Sequence, residues 1–325
     1  MSSKRLLITG AGGFVGQRLV RFLRQQASWN TAELQLWDAH ANEGDTIKVD
    51  LCQASLVDRA VADFLPTAVV HLAAQSHVPT AWQQPELTWQ VNCFGTLSLL
   101  EALRRHVPTA GVLFVGTAEV YGASFKTAVP LDESASLQPL NPYAASKAAA
   151  DLMAGQYAAG GLRIVRLRPF NHIGPGQRED FVASSFAAQI ARIECGLQPG
   201  VIRVGNLQAQ RDFLDVADVV RAYALALERL DWLPAGLVLN LCSGVPRRIA
   251  EILELLCRQT RCPIRIETDP DRLRPVDIPL AYGRCDAAQH WLGWEPQIPF
   301  THTLSLLLDD WRDRVQRDGR SGSVS

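Results

Sequence analysis

Tyr143 and Lys147 stand four residues apart in the run Asn141-Pro142-Tyr143-Ala144-Ala145-Ser146-Lys147. On a helix that spacing puts both on one face, about one turn from each other. A phenol with an ordinary pKa near ~10 is a poor acid or base at neutral pH. An ammonium beside it favours the phenolate and draws that pKa toward the working range, which suits the pair to moving a proton. The plainer reading is an exposed helix face, so the rest of the chain must supply a reaction.

The start of the chain indicates a reagent. In Lys4-Arg5-Leu6-Leu7-Ile8-Thr9-Gly10-Ala11-Gly12-Gly13-Phe14-Val15-Gly16 a short apolar, β-prone run meets a glycine turn. The segment that follows places Phe14, Val15, Leu19, Val20 and Leu23 on one helical stripe. Gly10 permits the tight turn, Gly13 lets backbone N–H groups approach a pyrophosphate, and Gly16 lets the helix pack closely on the strand. The helix N-terminus, opening at Phe14 and Val15, supplies positive potential for a dinucleotide.

The next strand, 33–38, ends in Asp38, 22 positions beyond Gly16. A carboxylate there accepts the adenosine ribose hydroxyls and repels a 2′-phosphate, and no Arg or Lys occupies positions 39–42. NAD(H) is therefore favoured, with NADP(H) the alternative. Asp50 and Leu51, at the end of 46–50, are expected at the adenine, and Ala73-Ala74 beyond the fourth strand let backbone approach the cofactor.

These residues need a frame, and the pattern provides one. Strand signals at 46–50, 68–73, 111–117 and 162–170 alternate with helical segments near 13–27, 53–63, 87–106 and 142–159. Such alternation predicts an α/β fold with a doubly wound parallel sheet of Rossmann type. Residues 1–171 form the expected dinucleotide domain, to which 214–243 returns. Residues 172–213 and 244–317, richer in Gly, Pro and Gln, form a smaller α+β substrate domain, and 318–325 read as a disordered tail.

At 325 residues, 47% hydrophobic and 20% charged, the chain has the composition of a soluble enzyme. A net charge of −1 argues against nucleic acid as a partner. The polar start gives no secretory signal, and no apolar stretch is long enough for a membrane span. Seven cysteines without a CxxC pair read as reduced thiols in a cytoplasmic protein. The seven histidines show no metal-ligand spacing, so no metal is expected.

In an open α/β sheet, ligands bind beyond the carboxyl ends of the strands. There stand Thr117-Ala118-Glu119-Val120-Tyr121-Gly122 and Arg168-Pro169-Phe170-Asn171-His172. Thr117 either shares a substrate oxygen with Tyr143 or merely caps a strand end. Together with the glycine loop and the Tyr143/Lys147 pair, these motifs resemble the extended short-chain dehydrogenase/reductases that modify nucleotide sugars. Arg211-Asp212-Phe213-Leu214-Asp215-Val216-Ala217-Asp218 and Leu292-Gly293-Trp294-Glu295-Pro296 resemble further signatures of that family, so the likeness spans nearly the whole chain.

Within the family, Pro169 to Gln177, Val204-Gly205-Asn206-Leu207 and Leu273-Arg274-Pro275 are similar to the GDP-4-dehydro-6-deoxy-D-mannose reductases, which make GDP-D-rhamnose. The GDP-mannose 4,6-dehydratases carry Asn-His-Glu-Ser-Pro-Arg-Arg where this chain has Asn171-His172-Ile173-Gly174-Pro175-Gly176-Gln177. The resemblance implies that Tyr143 donates a proton at C4, Lys147 holds the nicotinamide ribose and Thr117 orients the carbonyl. It implies that Asn171, Arg211 and Arg274 grip the GDP diphosphate, for which a bidentate guanidinium is suited. Glu119 is either a substrate ligand or the base of a dehydratase. A 4,6-dehydratase, a 4-epimerase and a dinucleotide sensor without turnover remain the other readings. The family also implies a homodimer whose four-helix bundle uses helices near 87–106 and 142–159.

Overall fold

The computed structural model describes residues 4–40, 45–273 and 278–321. Arg5–Thr9 (β1) buries Leu6, Leu7 and Ile8 completely, since a parallel strand covered on both faces admits little but apolar side chains. Phe14–Gln25 (α1) follows and buries Gly16, Leu19, Val20 and Leu23 as one stripe. Then come Glu33–Asp38 (β2), Thr46–Lys48 (β3), Ala54–Phe64 (α2), Ala68–His71 (β4), Val78–Gln83 (α3) and Pro85–Trp89 (α4). A π-helical segment, Gln90–Phe94, leads into Gly95–His106 (α5), Gly111–Val115 (β5), Pro142–Ala159 (α6) and Arg163–Pro169 (β6).

The second half contributes Asn171–Ile173 (β7), Val182–Glu194 (α7), Val201–Val204 (β8), Gln210–Asp215 (β9) and Val216–Glu228 (α8). After them stand Val238–Leu241 (β10), Pro246–Arg248 (β11), Ile249–Cys257 (α9), Arg265–Thr268 (β12), Leu280–Ala281 (β13), Asp286–Leu292 (α10) and Phe300–Ser321 (α11). The main sheet runs β10-β6-β5-β4-β1-β2-β3 with every pairing parallel. This is the doubly wound Rossmann order, and its switch point lies between β1 and β4. One face is covered by α1 and α8, through Leu19, Leu23, Val219 and Tyr223. The other is covered by α2, α5 and α6, through Val57, Leu99, Leu103 and Ala154. A separate apolar core joins α7, α9 and α11 beside the small sheet β11-β9-β13, on which β7 also pairs.

The structure departs from the sequence reading in three places. The helix expected over 87–106 is interrupted by the π segment, which turns Asn92 into the interior. Helix α7 escapes pattern reading because Ala183 through Ala191 are all buried, leaving no polar face to mark a period. Helix α11 continues to Ser321, so residues 318–321 are helical where a disordered tail is expected.

Candidate active site

Gly10 has φ +69°, and a Cβ on it would sit 2.8 Å from the Ala73 backbone. Only glycine lets the loop pass so close to the segment after β4 that carries Ala73 and Ala74. The Gly13 N–H turns inward to the Gly10 carbonyl at 3.1 Å. The N–H groups of Phe14, Val15 and Gly16 form the first turn of α1, have no intrahelical acceptor and meet no capping side chain. A pyrophosphate fits that open helix end. Asp38 reaches the same loop: Oδ2 accepts the Gly12 N–H at 3.1 Å and Oδ1 accepts the His40 N–H at 2.9 Å. Each oxygen keeps a further lone pair for a ribose hydroxyl.

Asp50 is differently employed. Its carboxylate accepts the Cys52 N–H at 2.9 Å, a bond that holds its pKa below the usual range, and it also accepts from Gln53 at 3.3 Å. Leu51 is buried, where a Cβ on Gly95 would lie 2.9 Å from its own Cβ, so it serves as wall.

Asn141 opens α6, its Oδ1 accepting the Ala144 N–H at 2.8 Å, and thereby fixes Tyr143 in the first turn. The Thr117 side chain lies near enough to the Tyr143 phenol to favour its ionised form, and the Glu119 carboxylate lies near enough to oppose it. Thr117 Oγ1 accepts the Glu119 N–H at 3.2 Å, while Glu119 Oε2 accepts from Asn141 Nδ2 at 3.4 Å. Behind them, Gly122 has φ +48° where the turn presses on the Gln138 carbonyl, closing the loop that carries Thr117 and Glu119.

The expected effect of lysine on tyrosine is not what the structure shows. Lys147 donates to the Val115 carbonyl at 2.7 Å, and its Nζ lies 4.9 Å from the Phe114 ring centroid. Burial lowers the Lys147 pKa to about 8, opposed by the Asp151 carboxylate. Burial pushes the Tyr143 phenol up to about 12; Thr117 opposes this and Glu119 adds to it. In this form the phenol is therefore a firmly protonated acid.

A buried polar network behind the pair was not legible in the sequence. His71 bridges Thr9 (Nδ1 to Oγ1, 2.7 Å) and Thr96 (Nε2 to Oγ1, 2.9 Å). Asn92 Nδ2 donates to the Gln75 carbonyl and to Ser146 Oγ, each at 3.0 Å, and Ser146 Oγ donates to the Tyr143 carbonyl at 2.8 Å. The residues come from four separated stretches, so only the fold assembles them. Burial drops the His71 pKa to about 3, with the nearby Lys147 charge adding to the effect.

Asn171 and Arg211 come together. Asn171 on β7 pairs with Phe213 on β9, so Asn171 and Arg211 emerge on one face of the small sheet. Arg211 Nη1 donates to the carbonyls of Gln210 (2.8 Å) and Ile278 (2.5 Å). Arg274 lies outside the described residues. Arg168 is buried against Asp151 through Nε and Nη2, at 3.0 and 2.8 Å, and so belongs to the core. The two distant signatures meet each other: the Trp294 indole donates to the Asp218 carbonyl at 2.9 Å, and the Asp218 carboxylate accepts the Gln297 and Ile298 N–H groups. Their spacing records a staple between α8 and the segment after α10. Among the described residues, no group of three or more His, Cys, Asp or Glu could hold a metal, and no helix is long and apolar enough to cross a membrane.

A Rossmann sheet with an open glycine loop, and a Thr-Tyr-Lys set beyond its fifth strand, defines a dinucleotide-dependent class of protein. The family model described as GDP-mannose 4,6 dehydratase matches residues 7–307, and the chain belongs to that family. It is 38% identical over 317 residues to the GDP-6-deoxy-D-mannose reductase of Pseudomonas aeruginosa, covering 97% of this chain and all of the relative. Among solved structures it resembles RMD from Pseudomonas aeruginosa complexed with NADPH, with TM-score 0.83, 36% identity and coverage of 96% and 100%. It also resembles the UDP-glucose 4-epimerase of Thermus thermophilus in complex with NAD, with TM-score 0.82, 28% identity and coverage of 95% and 99%.

Proposed function

We propose that this protein reduces the C4 ketone of GDP-4-dehydro-6-deoxy-D-mannose to give GDP-D-rhamnose, using a nicotinamide dinucleotide. The observation that carries the reading is the buried Tyr143 phenol set beside Thr117 at the end of β5, joined to the likeness to the Pseudomonas reductase over the full chain. When bound at the glycine loop, a reduced nicotinamide supplies the hydride for the C4 carbon. Tyr143 gives its proton to the developing alkoxide, a much stronger base than a phenolate. Thr117 orients the carbonyl and holds the phenolate that is left. Lys147 fixes the nicotinamide ribose and places a positive charge behind the site. Asn171, Arg211 and Arg274 take the diphosphate.

Asp38 supports NAD(H), since a carboxylate bonded to the glycine loop would repel a 2′-phosphate; the NADPH complex of the Pseudomonas relative supports the other coenzyme. Glu119 beside Tyr143 favours one second reading, a 4,6-dehydratase, in which it would remove a proton from the sugar. The test is to follow cofactor oxidation with the GDP-keto sugar and, separately, conversion of GDP-mannose. Oxidation with the keto sugar alone is expected. Conversion of GDP-mannose would transfer the protein to the dehydratases, and tight cofactor binding without turnover would make it a sensor.

A homodimer belongs to the same reading. Trp82, Leu87, Trp89 and Phe94, from α3 to the π segment, are exposed, as is Leu152 on α6. All but Trp82 lie on the stretches 87–106 and 142–159 that a four-helix bundle would pair, and burying such side chains stabilises association. Sedimentation of the wild type as a dimer and of Phe94→Glu/Leu152→Glu as a monomer is the expected result. The seven unpaired cysteines suit a cytoplasmic location.

A further inference from the structure

The mechanism above leaves one ring contact unexplained. His172 lies on β7 next to Asn171, and strand alternation sends the two side chains to opposite faces. While Asn171 shares the substrate face with Arg211, the His172 ring stacks on Phe14, with centroids 6.3 Å apart and planes 5° from parallel. Phe14 is the first residue of α1, and its N–H belongs to the helix end that fits a pyrophosphate. A single pair of rings thus joins the phosphate end of the cofactor site to the strand that carries a diphosphate ligand of the substrate site.

The ring pair is held firmly on both sides. His172 Nδ1 is 2.9 Å from the Phe170 carbonyl, and the His172 carbonyl accepts from Gln177 Nε2 at 2.9 Å, which ties down the strand edge that β9 does not cover. The Arg18 guanidinium lies 4.6 Å from the centroid of the Phe14 ring and donates to the Phe14 carbonyl at 3.1 Å. It makes a second contact with the substrate segment: a Cβ on Gly176 would meet Arg18 Nη2 at 2.8 Å. The Gly176 N–H in turn donates to Asp310 on α11 at 2.7 Å. The first turns of α1 therefore touch the stretch 171–177 twice, through Phe14 with His172 and Arg18 with Gly176.

We propose that His172 is a positioning residue that couples the two sites, so that a dinucleotide seated on α1 raises the affinity for the nucleoside diphosphate. The inference rests on the substrate reading given above. A pyrophosphate that draws in the Phe14 N–H fixes the backbone bearing the Phe14 ring, and the stacked imidazole then fixes β7 and Asn171. Reciprocity follows from linkage: the nucleoside diphosphate must tighten dinucleotide binding by the same factor.

The test is calorimetric titration of GDP into the full-length protein, with and without saturating NADPH or NADH. The wild type is expected to bind GDP at least about fivefold more tightly with the cofactor present, within the usual range of coupling between sites. His172→Ala should bring that ratio to about one, and His172→Phe, which keeps a ring against Phe14, should restore most of it. A residue needed only for folding would lower both affinities and leave their ratio unchanged. A wild-type ratio of one, or an unaltered ratio in His172→Ala, overturns the coupling and leaves the substrate reading intact. GDP that binds neither form overturns both.

Discussion

Lys147 donates to the carbonyl of Val115 at 2.7 Å, locking the helix that carries Tyr143 onto the strand that runs into Thr117. Two residues that meet one substrate oxygen in the proposed reaction are thus set on elements joined by a short bond. One of the lysine's three N–H donors is committed to the backbone, and the phenol is governed by its own burial, by Thr117 and by Glu119. For a reductase this is the useful arrangement, because the group needed is a proton donor that stays protonated until the alkoxide forms.

Removing the phenol tests that role. Tyr143→Phe should lower kcat by about 10²- to 10⁴-fold, the usual worth of a positioned general acid. Cofactor affinity, measured by fluorescence titration, should change little, because the ring and its packing remain. Wild-type turnover in this variant would remove Tyr143 from the chemistry.

Lys147 sets the pH dependence. Its pKa falls to about 8 through burial while the phenol stays near about 12, so the first group to lose a proton on raising pH is the lysine. Measured from about pH 6 to about pH 9.5, kcat/KM for reduction should be flat on the acid side and decline above about 8. The same shift has a stability consequence. Between about 8 and the ordinary 10.5 the unfolded chain binds the extra proton, so stability contributed by this group rises with pH in that window. A rate profile without a limb near 8 would contradict the assignment.

The proposed preference for NAD(H) turns on Asp38. Asp38→Ala removes the acceptor for a ribose hydroxyl and the repulsion of a 2′-phosphate. The ratio of kcat/KM for NADH to that for NADPH should drop by on the order of tenfold, the value of one charge-assisted hydrogen bond. An unchanged ratio would show that the carboxylate only holds the Gly12 loop.

His71 makes the fold acid-sensitive. It is buried and its pKa is depressed to about 3, from an ordinary 6.5. Between those values the unfolded chain holds a proton that the native chain does not, so stability is lost as pH falls through the window, by at most about 1.4 kcal/mol per pH unit. Denaturant melts of His71→Gln should show a shallower acid slope than wild type. Parallel slopes would mean that the imidazole titrates normally.

Much of the frame was legible because periodicity reports burial. β1, α1 and β5 carry one-sided or fully apolar patterns, and the glycine loop has few other uses at that place. The site was legible only in part. Tyr143 and Lys147 stand out by spacing and Thr117 by its place at a strand end, whereas Asn92, Ser146 and His71 are ordinary polar residues that gain meaning from a π turn and from strands distant in sequence. Asp218 and Trp294 stand out as motif residues, yet their bond shows a staple. Lys147 misled in detail: residue spacing gives its helix face, while the direction of a long side chain depends on the carbonyl it finds.

The most direct measurement is the NMR structure of the product formed from GDP-4-dehydro-6-deoxy-D-mannose and reduced cofactor. GDP-D-rhamnose, formed in step with cofactor oxidation, is the predicted result. An unreduced keto sugar, or a product epimeric at C4, would contradict the account.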